Sequence, residues 1–322
     1  MTYSRIAGTG RYLPERVLTN ADLEKKVDTT DEWIRTRTGI EQRHVAADDE
    51  QTSDLCVNAA RAAMEAAGVG VEDIDMVFVG TTSPDLIFPN IATIIQHKMG
   101  IPACPCYAVE AACSGFVYAL SSADKFIRCG DAKRVVVIGA EIITRLIDWN
   151  DRSTCVLFGD GAGAVILEAA DEPGILSTHL GADGQYQKLL YYPVGVSTDL
   201  AAAGLGESRI LMSGNDVFKV AVKTLCAVAE EALEANNVTT DELDWFVPHQ
   251  ANLRIIQATA KRLGVSMDKV IQTVQVHGNT SAASIPMAFD VGVRDGRIQR
   301  GQLVLFDAFG GGFTWGSVLL RY

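Results

Sequence analysis

Three side chains set among small residues carry the chemistry this sequence offers. Cys113 stands in Val109-Glu110-Ala111-Ala112-Cys113-Ser114-Gly115-Phe116, and a helical apolar pattern follows at once through Val117, Leu120, Ala123 and Ile127. That layout predicts a turn with the cysteine where a helix begins. Unpaired N–H groups and a partial positive charge there favour thiolate over thiol, and the thiolate is the nucleophile. A buried structural cysteine is the competing reading. His249 follows a strand, Trp245-Phe-Val, that Pro248 breaks, and a helix starts near Asn252. Strand ends at a topological switch form clefts, so His249 reads either as a site residue or as a satisfied structural histidine. Asn279, in His277-Gly-Asn-Thr-Ser-Ala-Ala-Ser, is a turn former or a hydrogen-bonding partner, and His277 competes with it.

Two glycine runs bear on the same chemistry. Phe309-Gly310-Gly311-Gly312 presents backbone N–H groups at close range; beside the N–H of Cys113 these would make an oxyanion hole. A tight hairpin needing positive φ is the alternative. The run from Gly159 to Gly163 lacks the G-x-G-x-x-G spacing before a helix, which argues against a dinucleotide loop. His44, His97 and His179 lie in polar or helical contexts and read as structural or solvated. Cys104 and Cys106 form a lone C-x-C without a second ligand pair, so no metal is expected.

The chain that must position these groups has 322 residues, 48% hydrophobic and 21% charged, enough for a large core or two domains. No apolar run reaches the ~18 residues of a membrane span. The start shows no basic segment followed by an apolar core, so no signal peptide is expected, and seven cysteines fit reduced thiols in a cytoplasmic protein. A net charge of −12 argues against a nucleic-acid partner.

Along the chain, residues 1 to 13 read as a strand and turn. A short helix follows, with Asn20 or Asp22 near its cap, and then another from Thr29 holding Trp33, Arg35 and Arg37. Helices are expected over 54–67 and 90–99, and buried strands over 74–80 and 135–140. The second half repeats this order. Met64-Glu-Ala-Ala-Gly-Val-Gly-Val-Glu-Asp-Ile-Asp aligns without gaps on Leu233-Glu-Ala-Asn-Asn-Val-Thr-Thr-Asp-Glu-Leu-Asp (233 − 64 = 169). Arg134-Val-Val-Val-Ile-Gly-Ala resembles Gln302-Leu-Val-Leu-Phe-Asp-Ala at nearly the same offset (302 − 134 = 168). The glycine turn after Phe158 has a counterpart after Phe309. The expectation is two similar α/β halves, 1–170 and 171–322, with mostly parallel, helix-covered sheets. The repeat pairs Gly80 with His249 and, at an offset of 166 (279 − 113), Cys113 with Asn279. Facing halves would bring the three polar residues into one pocket.

Four motifs, in order, resemble the 3-oxoacyl-[acyl-carrier-protein] synthase III family: Glu110-Ala-Ala-Cys113-Ser-Gly-Phe, Pro248-His249-Gln-Ala-Asn-Leu-Arg254, Gly278-Asn279-Thr-Ser-Ala-Ala-Ser-Ile-Pro, and Asp307-Ala-Phe-Gly-Gly-Gly-Phe-Thr-Trp-Gly-Ser. The resemblance covers the whole chain, including Asp31-Glu-Trp-Ile-Arg. It implies a thiolase fold of two pseudo-repeated halves, layered αβαβα, in a homodimer. It implies that Cys113 takes an acyl group from acyl-CoA, with acetyl-CoA the expected starter, and that malonyl on acyl carrier protein is decarboxylated to an enolate. His249 and Asn279 would hold the enolate oxygen, while the N–H groups of Cys113 and Gly311 stabilise the oxyanion. No cofactor is implied beyond the CoA substrate.

By the same resemblance, Trp33 and Arg152 sandwich the CoA adenine, Arg37 reaches its phosphates and Asn215 lines the pantetheine channel. Gln250, Ala251, Asn252, Leu253, Arg254, Lys261 and Arg262 would receive the carrier protein; Arg254 and Lys261, seven apart, share a helix side. Phe88 would reach into the partner subunit's pocket. Related condensing enzymes fit less well. Elongating ones carry a second histidine where Asn279 stands, thiolases a second cysteine near the C-terminus, and hydroxymethylglutaryl-CoA synthases a glutamate where this chain has Gly80-Thr-Thr-Ser-Pro. A starter-type ketosynthase of secondary metabolism, using CoA-bound malonate, is the nearest alternative. A papain-like Cys/His/Asn peptidase lacks its Cys-Gly-Ser-Cys-Trp signature here.

Overall fold

The strands that carry the three residues are apolar on both faces, and this fixes where they sit. In β4 (Arg134–Glu141), Val135 and Val137 face one core while Val136 and Ile138 face another. In β8 (Leu303–Gly310), Val304 and Phe306 share the first of these cores, whereas Leu303 and Leu305 enter a third. A strand buried on both faces needs a layer on each side.

The computed structural model describes residues 2–197 and 209–322. One sheet has the order β1 (Tyr3–Tyr12), β5 (Gly161–Ala170), β4, β2 (Met76–Gly80), β3 (Cys106–Val109). The other has the order β7 (Trp245–Pro248), β8, β9 (Thr314–Arg321), β6 (Ile175–Ala182). Between them lie α4 (Gly115–Cys129) and α7 (Ser284–Arg294), whose Phe116, Leu120, Ile285 and Phe289 fill the shared core. Outside the first sheet pack α2 (Thr52–Ala67) and α3 (Ile91–Met99); outside the second pack α5 (Gly214–Ala235) and α6 (Leu253–Leu263). The result is the five-layer αβαβα stack. Four of these helices end on glycine: Gly68, Gly100, Gly130 and Gly264 close α2, α3, α4 and α6 in left-handed conformations.

The sheets are mixed rather than mostly parallel. β2 runs parallel to β3 and β4, but β4–β5 and β5–β1 are antiparallel; β7–β8 is parallel, and β8–β9 and β9–β6 are antiparallel. Apolar runs signal burial, not direction, and β8 turns into β9 too tightly for a crossover. The short helix Asn20–Leu23 is capped by the Thr19 hydroxyl, with Asp22 completing the box, rather than by Asn20. Asn20 is buried and bonds Asp31 and the Ile40 carbonyl.

The repeat is tighter than residue types suggest. β2 and β7 start 169 apart (245 − 76), as do β4 and β8 (303 − 134) and α4 and α7 (284 − 115). The 3-10 turns Ala112–Ser114 and Ser281–Ala283 share that offset, and their first residues share a rare backbone, with φ +45° at Ala112 and +49° at Ser281. Asp75 and Asp244 mark the same register: each accepts from the backbone at the start of the neighbouring strand, at 2.8 Å from Arg134 N and 2.7 Å from Leu303 N. The pairing of Cys113 with Asn279 is therefore corrected. Cys113 matches Ala282, and Asn279 stands three residues ahead. Among the described residues the second half has no counterpart of β3; one bridge between Phe246 and Val270 stands in its place. No helix of the described residues is long and apolar enough to cross a membrane.

Candidate active site

Each half braces the other's turn. Thr314, at the start of β9, donates to the Ala111 carbonyl at 2.8 Å, and its own carbonyl accepts from Ser114 at 3.1 Å. Asn279 in turn donates its backbone N–H to Leu157 at 2.9 Å and accepts from Gly159 at 3.1 Å. These crossed contacts bring Cys113, His249 and Asn279 into the wall of one cavity of about 120 Å³, closed by apolar side chains including Leu157, Val217, Leu225 and Phe309.

Cys113 heads α4 as expected, but it is buried, and burial pushes its thiol up to about 12. A helix N-terminus is worth at most ~2 kcal/mol, or about 1.5 pKa units. Burial wins, so the resting group is the thiol, which corrects the expectation of a thiolate. His249 follows β7 and donates its backbone N–H to the Asp307 carbonyl at 2.8 Å. Its ring is buried and held far below the ordinary histidine range, at about 3, by desolvation, so it is neutral. Nδ1 lies 2.6 Å from the Ser284 hydroxyl, which also accepts from Gln250 N at 3.2 Å. The arrangement that leaves no polar hydrogen idle has Ser284 donating to Nδ1, which places the ring proton on Nε2. Asn279 Oδ1 accepts from Ser281 N at 2.9 Å, leaving the amide NH₂ as its group for the cavity. His277 is also buried and neutral, but its ring is near His44 and Arg11, away from the cavity lining.

The glycine run forms the β8–β9 hairpin, with positive φ only at Gly312. A Cβ at Gly310 would lie 2.6 Å from the Cys113 nitrogen, so the hairpin passes directly against the cysteine's amide. Trp33, on α1 (Asp31–Thr38), is covered by two guanidinium groups, Arg37 at 5.4 Å and Arg152 at 5.0 Å from the ring centroid. Arg152 also donates to the Asp28 carbonyl at 2.7 Å. A base between Trp33 and Arg152 needs about 7 Å, two contact distances, so Arg152 must swing outward to admit one. Asn215 is exposed in the first turn of α5.

Of the expected docking residues, Arg254, Lys261 and Arg262 are exposed. Ala251 and Asn252 line the cavity, Asn252 caps α6, and Leu253 packs beneath Gly39. Gln250 is a correction: it is fully buried, donates to Pro248 and Ile271, and accepts from Thr273 and Val274, so it ties loops together and offers nothing to a partner. Phe88 is 83% exposed beside Ile87, outside this chain's own cavity.

Reading residue types missed Ser281, Ser284 and Glu141. Ser281 stands in the turn that packs on the Cys113 turn, and its hydroxyl donates to Glu141 at 3.2 Å. The available signal was a glutamate ending the otherwise apolar run of β4.

Comparison with known proteins agrees with this geometry. Two family models match: 3-Oxoacyl-[acyl-carrier-protein (ACP)] synthase III over residues 107–184, and the C-terminal model of the same family over 233–322. The chain is 63% identical over 320 residues to the beta-ketoacyl-[acyl-carrier-protein] synthase III of Xanthomonas campestris pv. campestris, covering 99% of this chain and 98% of that one. Among solved structures it superposes on 3-oxoacyl-[acyl-carrier-protein] synthase III from Aquifex aeolicus with a TM-score of 0.94 at 45% identity, covering 99% and 100% of the two chains. It also superposes on the priming beta-ketosynthase of the R1128 polyketide pathway, with a TM-score of 0.95 at 38% identity, covering 99% and 96%. With its five-layer thiolase fold, the chain belongs to the 3-oxoacyl-[acyl-carrier-protein] synthase III family, the condensing acyltransferases of fatty acid synthesis.

Proposed function

We propose that this enzyme joins an acyl starter carried on coenzyme A, acetyl in first place, to malonyl carried on acyl carrier protein. The products are 3-oxoacyl carrier protein, CoA and CO₂. The observation that carries the reading is the meeting of Cys113, His249 and Asn279 in the wall of one small apolar cavity. Cys113 is the acylated residue, because thioester exchange needs a soft nucleophile. His249 Nε2–H and the Asn279 amide are two neutral donors in a dry site. They suit an oxygen on which enolate charge develops as malonyl loses CO₂, and the resulting carbanion attacks the acyl thioester on Cys113. The amides of Cys113 and Gly311 hold the oxyanion of that attack. Trp33, Arg37 and Arg152 take the CoA nucleotide, with Asn215 beside the pantetheine. Phe88 closes the acyl pocket of a partner subunit in a homodimer. The two halves divide at residue 170, and the enzyme works in the cytoplasm without a cofactor.

The likeness to a priming ketosynthase of a polyketide pathway supports a second reading, a starter-type ketosynthase of secondary metabolism; in that reading the extender is CoA-bound malonate. The exposed Arg254, Lys261 and Arg262 favour the carrier, which is an acidic protein. Arg254→Glu separates the two. With a carrier-bound extender it raises KM for malonyl-carrier protein at least ~10-fold, the scale of one lost charge contact, and leaves acylation from acyl-CoA intact. Equal loss in both half-reactions removes the docking role.

Intact-mass measurement tests the main reading. The protein is mixed with equal acetyl-, isobutyryl- and octanoyl-CoA beside a Cys113→Ser control. An acyl adduct on the wild type alone is expected, and its mass names the starter. A folded wild type with no adduct from any donor overturns the acyl-CoA reading.

A further inference from the structure

Arg43 is completely buried, and the mechanism above leaves it unused. It stands in the short strand Gln42–Val45, which pairs antiparallel with Arg16–Thr19 outside the two main sheets. Its guanidinium donates to the Leu18 carbonyl at 3.1 Å, to Asn20 Oδ1 at 2.9 Å and to the Val156 carbonyl at 2.7 Å, while Nε has no partner. All three acceptors are neutral. Burial lowers the guanidinium to about 10, so it stays charged at neutral pH. A charge taken out of water without a counter-ion is costly, and the fold at this corner does not need it. Strand pairing already sets Leu18 opposite Arg43, and Asn20 is already tied to Asp31 and the Ile40 carbonyl. The third bond leaves the corner and leads to the cavity.

Val156 opens the run Val156–Gly159, which carries Asn279. Leu157 accepts from the Asn279 N–H at 2.9 Å, and the Gly159 N–H donates to the Asn279 carbonyl at 3.1 Å, a parallel bridge through Phe158. The Arg43 stem lies against both sides of that bridge: a Cβ at Gly159 or at Gly278 would come within 3.0 Å of Arg43 Cβ. The strand is also tied at both ends. The Glu41 N–H donates to the Gln275 carbonyl at 2.8 Å, and the Asp160 N–H to the His44 carbonyl at 2.9 Å. Arg43 therefore packs beneath the Asn279 turn and holds the run that supports it.

We propose that Arg43 is a positioning residue for condensation: its rigid fork fixes the run Val156–Gly159 and, through that run, sets the Asn279 amide toward the oxygen on which enolate charge develops. The proposal rests on the reading of Asn279 as a donor to that oxygen. Guanidinium donors lie in one plane and hold several oxygens in set directions, which a flexible ammonium does not. Asn279 Oδ1 bonds Ser281 N, and this orients the amide within its own turn. The place of the turn in the cavity wall is set by Leu157 and Gly159. His249 has separate supports, the Asp307 carbonyl and the Ser284 hydroxyl. Two donors act together only when both reach one oxygen at about 3 Å. A slackened turn loses the share of Asn279 and keeps that of His249.

The test is a pair of double-mutant cycles on enzyme acetylated from acetyl-CoA and then freed of CoA. Single-turnover condensation with malonyl-carrier protein is the readout. Arg43→Lys keeps the charge and removes the fork. It should slow condensation about 10-fold, less than the loss of Asn279 itself, and leave the rate of acetylation within about 2-fold. On an Asn279→Ala background it should cost nothing further, whereas on a His249→Ala background the full factor should return. A role in stability alone would lower Tm and slow both half-reactions equally on every background, and that pattern overturns the proposal. Should Arg43→Lys fail to fold, Asn20→Ala removes one acceptor of the fork and enters the same cycles, with an expected loss of about 3-fold. Because the enzyme is already acetylated, any effect of Asn20 on CoA binding through Asp31 drops out. Condensation by Asn279→Ala at the wild-type rate overturns the donor reading and the proposal with it. A slow Asn279→Ala beside an Arg43→Lys at the wild-type rate overturns the proposal alone.

Discussion

The two halves present the same backbone at three places and different side chains at each. At the end of the first matched strand the pair is Gly80 and His249. In the strained 3-10 turn it is Cys113 and Ala282, and at the end of the second matched strand it is Glu141 and Gly310. On the proposed mechanism, the first half supplies the nucleophile and a buried carboxylate. The second supplies the neutral donor and the bare backbone. Each asymmetry has a steric or electrostatic reason. Gly80 has no room for a side chain, because a Cβ there would lie 2.3 Å from the Gly115 carbonyl carbon, whereas His249 opens onto the cavity. Gly310 lets the hairpin touch the Cys113 amide, whereas Glu141 reaches across to Ser281. A duplicated scaffold doubles the positions from which a site is built, and the chemistry comes from filling each pair unequally.

If the labour is divided in this way, removing the second half's donors should abolish condensation and spare acylation. His249→Ala and Asn279→Ala should each lower the rate of condensation about 10²–10³-fold, the scale of one lost oxyanion donor. Single-turnover acylation of Cys113 should change little. Loss of acylation to the same extent would show that the halves share both steps.

Gly310→Ala attacks the division from the other side. The added methyl must push the Cys113 amide, and a shift of ~1 Å at a reacting centre costs on the order of 10²-fold. Acylation should fall first, because on the proposed mechanism the amide serves the oxyanion of every attack at that sulfur. Acylation at the wild-type rate would mean that the close approach is only packing.

Much of this was legible before any coordinates. The apolar runs of β2, β4, β7 and β8 marked the strands, because burial on two faces restricts residue type strongly. The gapless match around Glu65 and Glu234 exposed the duplication. What stayed hidden was geometry that residue type does not encode. Asn279 was paired with Cys113 at an offset of 166 (279 − 113), yet the backbone keeps the 169-residue offset (281 − 112) through both 3-10 turns and pairs Cys113 with Ala282, as the matching φ values of Ala112 and Ser281 show. Gln250 was placed on the docking face by resemblance alone, but four backbone partners bury it. The thiolate was inferred from a helix end that is real; the desolvation that outweighs it depends on the second half closing over the site.

The smallest effect sharpens the comparison at a pair outside the chemistry. Asp307 in β8 occupies the place of Ile138 in β4 (307 − 138 = 169), and both side chains are buried on the outer face of their sheet. Isoleucine fits that layer. Neither carboxylate oxygen of Asp307 has a hydrogen-bond partner, and desolvation pushes its pKa well above the usual range. The folded protein therefore prefers the protonated form, whereas the unfolded chain releases this proton near pH 3.9. The sign follows: the stability tied to this group is complete below about pH 4 and drains away as pH rises toward the folded value. Asp307→Asn cannot ionise. It should match the wild type near pH 4.5 and exceed it increasingly toward pH 8, by about 1.5 °C in Tm for each kcal/mol recovered. Glu141 and Asp160 are raised in the same way, to about 7 and about 6, and contribute equally to both proteins, so the difference between the two melting curves isolates Asp307. Parallel curves across that range would mean that the carboxyl is ionised in the fold, and that the second half carries at Asp307 a compensated charge where the first carries only packing.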